Sequence, residues 1–390
     1  MRPILHAITP GDHFSPRTGS AVPTVIDGLT RAAAREDGSP EQGVLIAEGT
    51  YSDRYPQVTC REYAQAPSPG RGRRVIDAAV GTVSGSRPFQ RRELKPLLAE
   101  QGTWPPSTVI AHNLVQLIPL VDHTRHQAVL YAHNDLLRTY TQREAAAALA
   151  HVALIVCVSS FLAERLKRQL PGAMHRRVVV VPNAADCLQF TAAQEPRTRA
   201  AGEPLRVAYL GRVIPSKGAD VLLEAAELLG TADLALTVIG SDGFDPEAPL
   251  SAFEDRLRQT APGLASPVRF LPSVDRRTLP EVLRSQDVLV VPSRWPEPWG
   301  LTVSEGQASG LVVLASDVGG IPEAIASPKH LFPAGDPHAL ARSLQELLDD
   351  RDAAAEHGRA ARRYAEHHDW SLSWSFLAEH LAMADDGRPA

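Results

Sequence analysis

Strand-like apolar runs alternate along this chain with segments in which apolar positions recur at helical spacing. That alternation predicts βαβ units built on parallel sheets. In the first half, strands are expected at Ile4–Ala7, Gly43–Ala47, Val75–Asp77, Thr108–Ala111, Ala128–Tyr131, Leu154–Val158 and Val178–Val181, with a helix from Val22 to Arg35 after the first. A second series runs through Leu205–Leu210, Leu234–Ile239, Val268–Phe270, Val288–Val291 and Val312–Ala315. Helices then close the chain at His338–Leu348, Asp352–His367 and Trp370–Ala384. Thr191–Pro204 has no apolar period and reads as an interdomain linker. Ala66–Arg74 (APSPGRGRR) reads as a solvated loop.

At 390 residues the chain exceeds one ordinary core, so two domains of near-equal size are expected. Hydrophobic content of 44% with only 5% aromatics favours helix-covered sheets over a β-sandwich. A net charge of −5, with pI near 6.3, gives no pull toward nucleic acid or anionic lipid. The three cysteines, Cys60, Cys157 and Cys187, are odd in number and widely spaced, which suits a reducing cytoplasm better than a disulfide framework. The N-terminus lacks the pattern of a secretory signal. Ala145–Ala163 carries no Asp, Glu, Lys or Arg, but it reads as a helix tail entering the β-branched strand LIVCVS, not as a membrane span.

Candidate chemistry concentrates in Val291–Glu323, VPSRWPEPWGLTVSEGQASGLVVLASDVGGIPE. Two glutamates, Glu297 and Glu305, stand with seven residues between them around a Pro-Trp-Gly turn. Glu297 falls in the loop before Gly300, and Glu305 in the helix that follows. Helical spacing throughout would span roughly 12 Å, about the reach from sugar to ribose in a nucleotide-sugar. Upstream, strand Val207–Leu210 leads into Gly211-Arg212 and then Lys217-Gly218. Glycine admits a ligand to the backbone, arginine offers a planar fork for phosphate oxygens, and lysine adds a point charge. Two histidines follow strands in the first half: His112 in STVIAHN and His133 in AVLYAHND.

Together these motifs resemble retaining GT-B glycosyltransferases, most closely family 4, glycosyl transferases group 1. The resemblance covers nearly the whole chain and is sharpest from Val178 to Glu323. It implies two Rossmann-like domains facing across a cleft, residues 1–190 on the acceptor side and 205–370 on the donor side, with 371–390 packing back on the first. The apolar set Trp370, Leu372, Trp374, Phe376, Leu377 and Leu381 suits that packing. The implied activity is that of a hexosyltransferase-type enzyme (EC 2.4), which moves a sugar from a UDP- or GDP-sugar with retention. Front-face displacement, in which the leaving phosphate helps take the acceptor's proton, is carried over as analogy.

By that resemblance Arg212 and Lys217 hold the diphosphate, Glu297 the transferred sugar and Glu305 the ribose. Gly211, Trp299, Gly300 and Leu301 complete the donor side. Gly19 contributes from an N-terminal loop where the family usually carries two glycines. His112 is placed beside the reacting sugar, although the histidine that usually precedes it is Ile110 here. With Arg212, Lys217 and Glu297 it makes up the expected catalytic set, and His133 and Asn134 are assigned to the acceptor side. Asn183 and Asp186 read as turn and cap residues, with Ala184 where the family often has glycine.

The DxD at Asp350-Arg351-Asp352 sits between C-terminal helices, away from any donor strand end, so no essential metal or other cofactor is expected. His367-His368-Asp369 reads as a solvated helix end. No dinucleotide glycine motif, P-loop or nucleophile elbow is present, which argues against a dehydrogenase. The expected partners are a nucleotide-sugar and a small soluble acceptor of natural-product type. The Ala-, Arg- and Pro-rich composition fits a GC-rich bacterial genome. A homodimer is left open. Three alternatives stand beside the transferase: a non-hydrolysing nucleotide-sugar epimerase, a phosphorylase-type enzyme, and a silent sugar-nucleotide-binding homologue.

Overall fold

The computed structural model describes residues 1–192, 202–243 and 248–386, and most of the expected linker lies outside that set. The chain divides into two compact units. Unit 1 comprises Met1–Pro16, Ser20–Asn183 and Trp370–Ala390; unit 2 comprises Arg17–Gly19 and Ala184–Asp369.

Unit 1 is built on seven strands: β1 Ile4–Ala7, β2 Gln42–Ala47, β3 Thr59–Tyr63, β4 Thr108–His112, β5 Gln127–Ala132, β6 Val152–Cys157 and β7 Val178–Val180. Their order is β3-β2-β1-β4-β5-β6-β7, and all the pairings are parallel. The central strands are buried on both faces, which is why they read as unbroken apolar runs. Unit 2 holds β8 Leu205–Leu210, β9 Leu234–Ile239, β10 Val268–Leu271, β11 Val288–Val291, β12 Val312–Ser316 and β13 Leu331–Phe332. These run in the order β10-β9-β8-β11-β12-β13, again all parallel.

Two expectations need correction, one strand was not foreseen, and the reading of residues 145–163 holds. Val75–Asp77 is not a strand but lies within the helix Arg71–Ser84, which also absorbs the arginines assigned to a loop. Asp77 is buried there, and its carboxylate accepts from Phe89 N and Gln90 N at 2.9 Å each, capping the helix Pro88–Leu94. Val75 and Val83 meanwhile lie 70% and 75% exposed, so apolarity at these positions did not signal a buried strand. The edge strand β3, Thr-Cys-Arg-Glu-Tyr, has no apolar signature because most of it faces solvent. The residues 145–163 belong to a helix, then β6, then a second helix; among the described residues no helix is long and apolar enough to cross a membrane.

The final helix, Trp370–Asp385, packs in unit 1. It buries Trp370, Trp374, Leu377 and Leu381, a stripe at helical spacing, while Phe376 lies 37% exposed. Trp374 Nε1 donates to Glu36 Oε2 at 2.6 Å, and Ser373 Oγ to the Pro182 carbonyl at 2.7 Å. Trp370 covers Gly28 of the helix Ala21–Ala33. A β-carbon at Gly28 would lie 2.3 Å from the indole Cε2. Gly28→Val is therefore expected to cost about 1–3 kcal/mol by overpacking. Urea denaturation would show it as a lower midpoint with unchanged slope.

Candidate active site

In unit 2 the strand order reverses at β8, whose neighbours are β9 and β11. The loops leaving β8 and β11 therefore diverge from adjacent strand ends, the place where open α/β sheets bind ligands. Backbone joins the two loops: Arg294 N and Trp295 N both donate to the Ser216 carbonyl, at 2.9 and 3.2 Å. Gly218 adopts φ +73°, and a β-carbon there would lie 2.0 Å from the Pro292 carbonyl oxygen. Lys217 Nζ donates to Glu297 Oε1 at 2.5 Å, and Ser293 Oγ donates to the same oxygen at 2.7 Å. Gly319 (φ +66°) lies against the Glu297 backbone, where a β-carbon would come within 2.3 Å of the carbonyl oxygen. Gly320 N donates to that oxygen at 2.7 Å. The Pro-Trp-Gly turn and the Gly-Gly loop are thus held together through backbone.

Gly300 turns the chain into the helix Leu301–Ala308. Trp299 is buried, and its Nε1 donates to Ser304 Oγ at 3.1 Å, so it anchors the turn to the helix. Glu305 is buried within that helix and accepts from Arg276 Nη2 at 2.6 Å. Oε2 of both Glu297 and Glu305 makes no hydrogen bond among the described residues. Arg212 is exposed, and among the described residues its guanidinium has no hydrogen bond or ion pair. The structure thus brings Lys217 and Glu297 together, seats Glu305 on Arg276 and leaves Arg212 outward. Gly211 follows β8, and Leu301, half-buried, is the first residue of the helix.

Sequence reasoning passed over Arg276 and Ser293. Arg276 lies beyond the C-terminal end of β10, and that position was the available signal. Gly19 is exposed and belongs, with Arg17 and Thr18, to unit 2. Asp275, beside Arg276, has its pKa held down by hydrogen bonds from Arg277 and, to a lesser degree, by the charge of Arg17. Asp350 accepts from Ala353 N at 2.9 Å, capping the helix Arg351–His367.

In unit 1 the reversal falls at β1, between β2 and β4. Here three buried histidines form a chain. His6 Nε2 lies 2.9 Å from Gln42 Oε1, His6 Nδ1 lies 2.9 Å from His112 Nε2, and His112 Nδ1 lies 2.8 Å from His133 Nε2. His112, expected beside a reacting sugar, is fully buried with both ring nitrogens committed to other histidines. The open end is His133 Nδ1, which is buried and without a partner among the described residues. His133 stacks on Tyr131 at 4.7 Å and 4°. Its backbone N donates to Asn113 Oδ1 at 2.8 Å, and Asn113 holds φ +61°, a conformation no other described non-glycine residue adopts. Asn134, next to it, is exposed. Burial pushes the histidine pKa values down, to about 4 for His6 and about 3 for His133, with His112 also well below its ordinary value.

Residues 191–364 match the family model for glycosyl transferases group 1. Curated relatives include the D-inositol 3-phosphate glycosyltransferases of Streptomyces avermitilis and Nocardia farcinica. The first is 37% identical over 182 residues, 44% of this chain and 38% of that protein. The second is 37% identical over 227 residues, 55% and 48%. The chain spans less than half the length of these two relatives. Among solved structures, Anabaena HepE in complex with UDP and glucose matches with a TM-score of 0.71 at 17% identity, over 98% of this chain and 100% of that one. Sucrose-phosphate synthase from Thermosynechococcus elongatus matches with 0.75 at 20%, over 99% and 100%. The fold is GT-B, with two parallel-sheet α/β units and a final helix returning to the first, as the sequence implied.

The histidine chain has a consequence for stability. An unfolded histidine takes a proton near pH 6.5, whereas His6 and His133 resist it until about 4 and 3. Below pH 6.5 the unfolded state binds more protons, so stability falls as pH drops and is flat above about 7. Each histidine contributes a slope of at most ~1.4 kcal/mol per pH unit within its window. Urea midpoints measured from pH 7.5 to 5 should decline, and His133→Asn should flatten part of that decline.

Proposed function

We propose that the chain is a retaining glycosyltransferase of the family 4 kind, which transfers a sugar from a nucleoside-diphosphate-sugar to a hydroxyl of a small acceptor. The observation that carries this reading is the placement of Arg212, Lys217 and Glu297 at the β8/β11 reversal of unit 2. The match of residues 191–364 to group 1 glycosyl transferases supports it. UDP in the HepE structure favours a UDP-sugar. The names of the curated relatives favour a phosphorylated polyol among small acceptors.

In this reading Arg212, exposed and without an ion pair among the described residues, takes the diphosphate first, and Lys217 shares its charge between Glu297 and a phosphate oxygen. Charge developing on the departing nucleotide is then met by two cations already in place, with single donors of this kind worth about 3 kcal/mol. Together they do the work a divalent cation would do elsewhere. Glu297 accepts sugar hydroxyls through Oε2, and Glu305, held by Arg276, accepts from the ribose. Gly19 and the N–H groups at the start of the helix Leu301–Ala308 approach the phosphates. His133 and Asn134 lie on the acceptor side. The free cysteines fit a cytoplasmic enzyme.

Thermal shift against UDP, GDP, ADP and dTDP tests the donor site. One nucleotide should raise Tm by several degrees at saturating concentration, where ligand at 100 times Kd contributes about 2.7 kcal/mol. Arg212→Ala and Glu305→Gln should abolish most of that shift, and Arg276→Ala should weaken it by loosening Glu305. Indifference of the shift to all three changes would place the nucleotide elsewhere.

A further inference from the structure

The histidine chain of unit 1 has a hydrogen count that fixes its polarity. Its three internal contacts, Gln42–His6, His6–His112 and His112–His133, measure 2.8–2.9 Å. A contact that short holds one hydrogen, because two facing N–H groups would repel and two bare nitrogens would not bond. Three neutral rings carry three ring N–H hydrogens. With Gln42 presenting its carbonyl oxygen, those three fill the three contacts, each ring donating through Nε2. None is left for His133 Nδ1, the buried nitrogen without a partner among the described residues.

We propose that Gln42, His6 and His112 are positioning residues that lock His133 in the Nε2–H tautomer and present its Nδ1 as a hydrogen-bond acceptor for a hydroxyl of a bound polyol or sugar. His112 then acts only through His133, not on substrate. The polyol ligand rests on the glycosyltransferase reading; the tautomer does not.

Nitrogen NMR of the full-length protein labelled with 15N-histidine reads the tautomers directly, without substrate or turnover. All three rings should show protonated Nε2 and bare Nδ1. Gln42→Glu, which still accepts, should keep that pattern. Gln42→Lys, which can only donate, should reverse every bond and move the hydrogen of His133 to Nδ1. In turnover assays with a nucleotide-sugar and a polyol acceptor, Gln42→Glu should stay within about threefold of wild type. Gln42→Lys should lose at least tenfold in kcat at unchanged nucleotide Tm shift. A proton on His133 Nδ1 in the wild type overturns the proposal, even if Gln42→Lys does not fold. So does a His133 tautomer indifferent to Gln42→Lys in the folded protein. Correct tautomers in a protein without glycosyl transfer would remove the ligand assignment alone.

Discussion

Strand pairing among the described residues is parallel throughout both sheets, and the placement of every candidate group follows from it. A parallel ladder cannot be closed by a tight turn, so each strand returns through a crossover, and all strands of a sheet end on the same edge. Loops carrying polar chemistry are thereby gathered along one rim of each unit. Where the order reverses, at β1 and at β8, neighbouring loops part and leave room for a ligand. His6 and His112 lie on the two strands flanking the first reversal. Lys217 and Glu297 lie on the loops leaving the second.

Within unit 2, backbone proximity does what side chains alone could not. Gly218 against Pro292 and Gly319 against Glu297 are approaches that no β-carbon allows. They fix the loops before any ligand arrives. Two ion pairs sit on that frame, Lys217 with Glu297 and Arg276 with Glu305, beside Arg212, which has no ion pair among the described residues. A carboxylate left uncompensated at a largely buried position would be costly, so each glutamate has its own cation. Pairing also orients them, since one oxygen of each is occupied and the other is directed elsewhere.

Much of this was legible because strands buried on both faces announce themselves. β1, β8, β9 and β11 coincide with their apolar runs to the residue. Legibility failed where burial and hydrophobicity part company. Val75–Asp77 looked like a strand, yet its valine is exposed and its aspartate is the buried group. β3 pairs through backbone with polar side chains outward. The glutamates and basic residues of unit 2 stood out by local motif, but Arg276 did not, because its partner Glu305 is 29 residues away. Likewise His6 and Gln42 join His112 only through the β2-β1-β4 order, which local spacing does not encode.

The two units meet different electrostatic demands. At its strand-order reversal unit 2 holds two ion pairs beside Arg212, which has no ion pair among the described residues. At its strand-order reversal unit 1 keeps its three histidines neutral: burial lowers all of them, and each contact between them already holds its one hydrogen. A buried acceptor left unmet, such as His133 Nδ1, costs about 1–3 kcal/mol. An apolar ring in that place would only move the cost to His112 Nδ1, which accepts from His133 Nε2. A strained Asn113 holding the His133 backbone is a second cost at the same spot. Two local costs thus fall on one residue, one at its ring Nδ1 and one at the turn that holds its backbone. The group that would meet the bare Nδ1 is a hydrogen-bond donor, as a hydroxyl of the proposed sugar or polyol is.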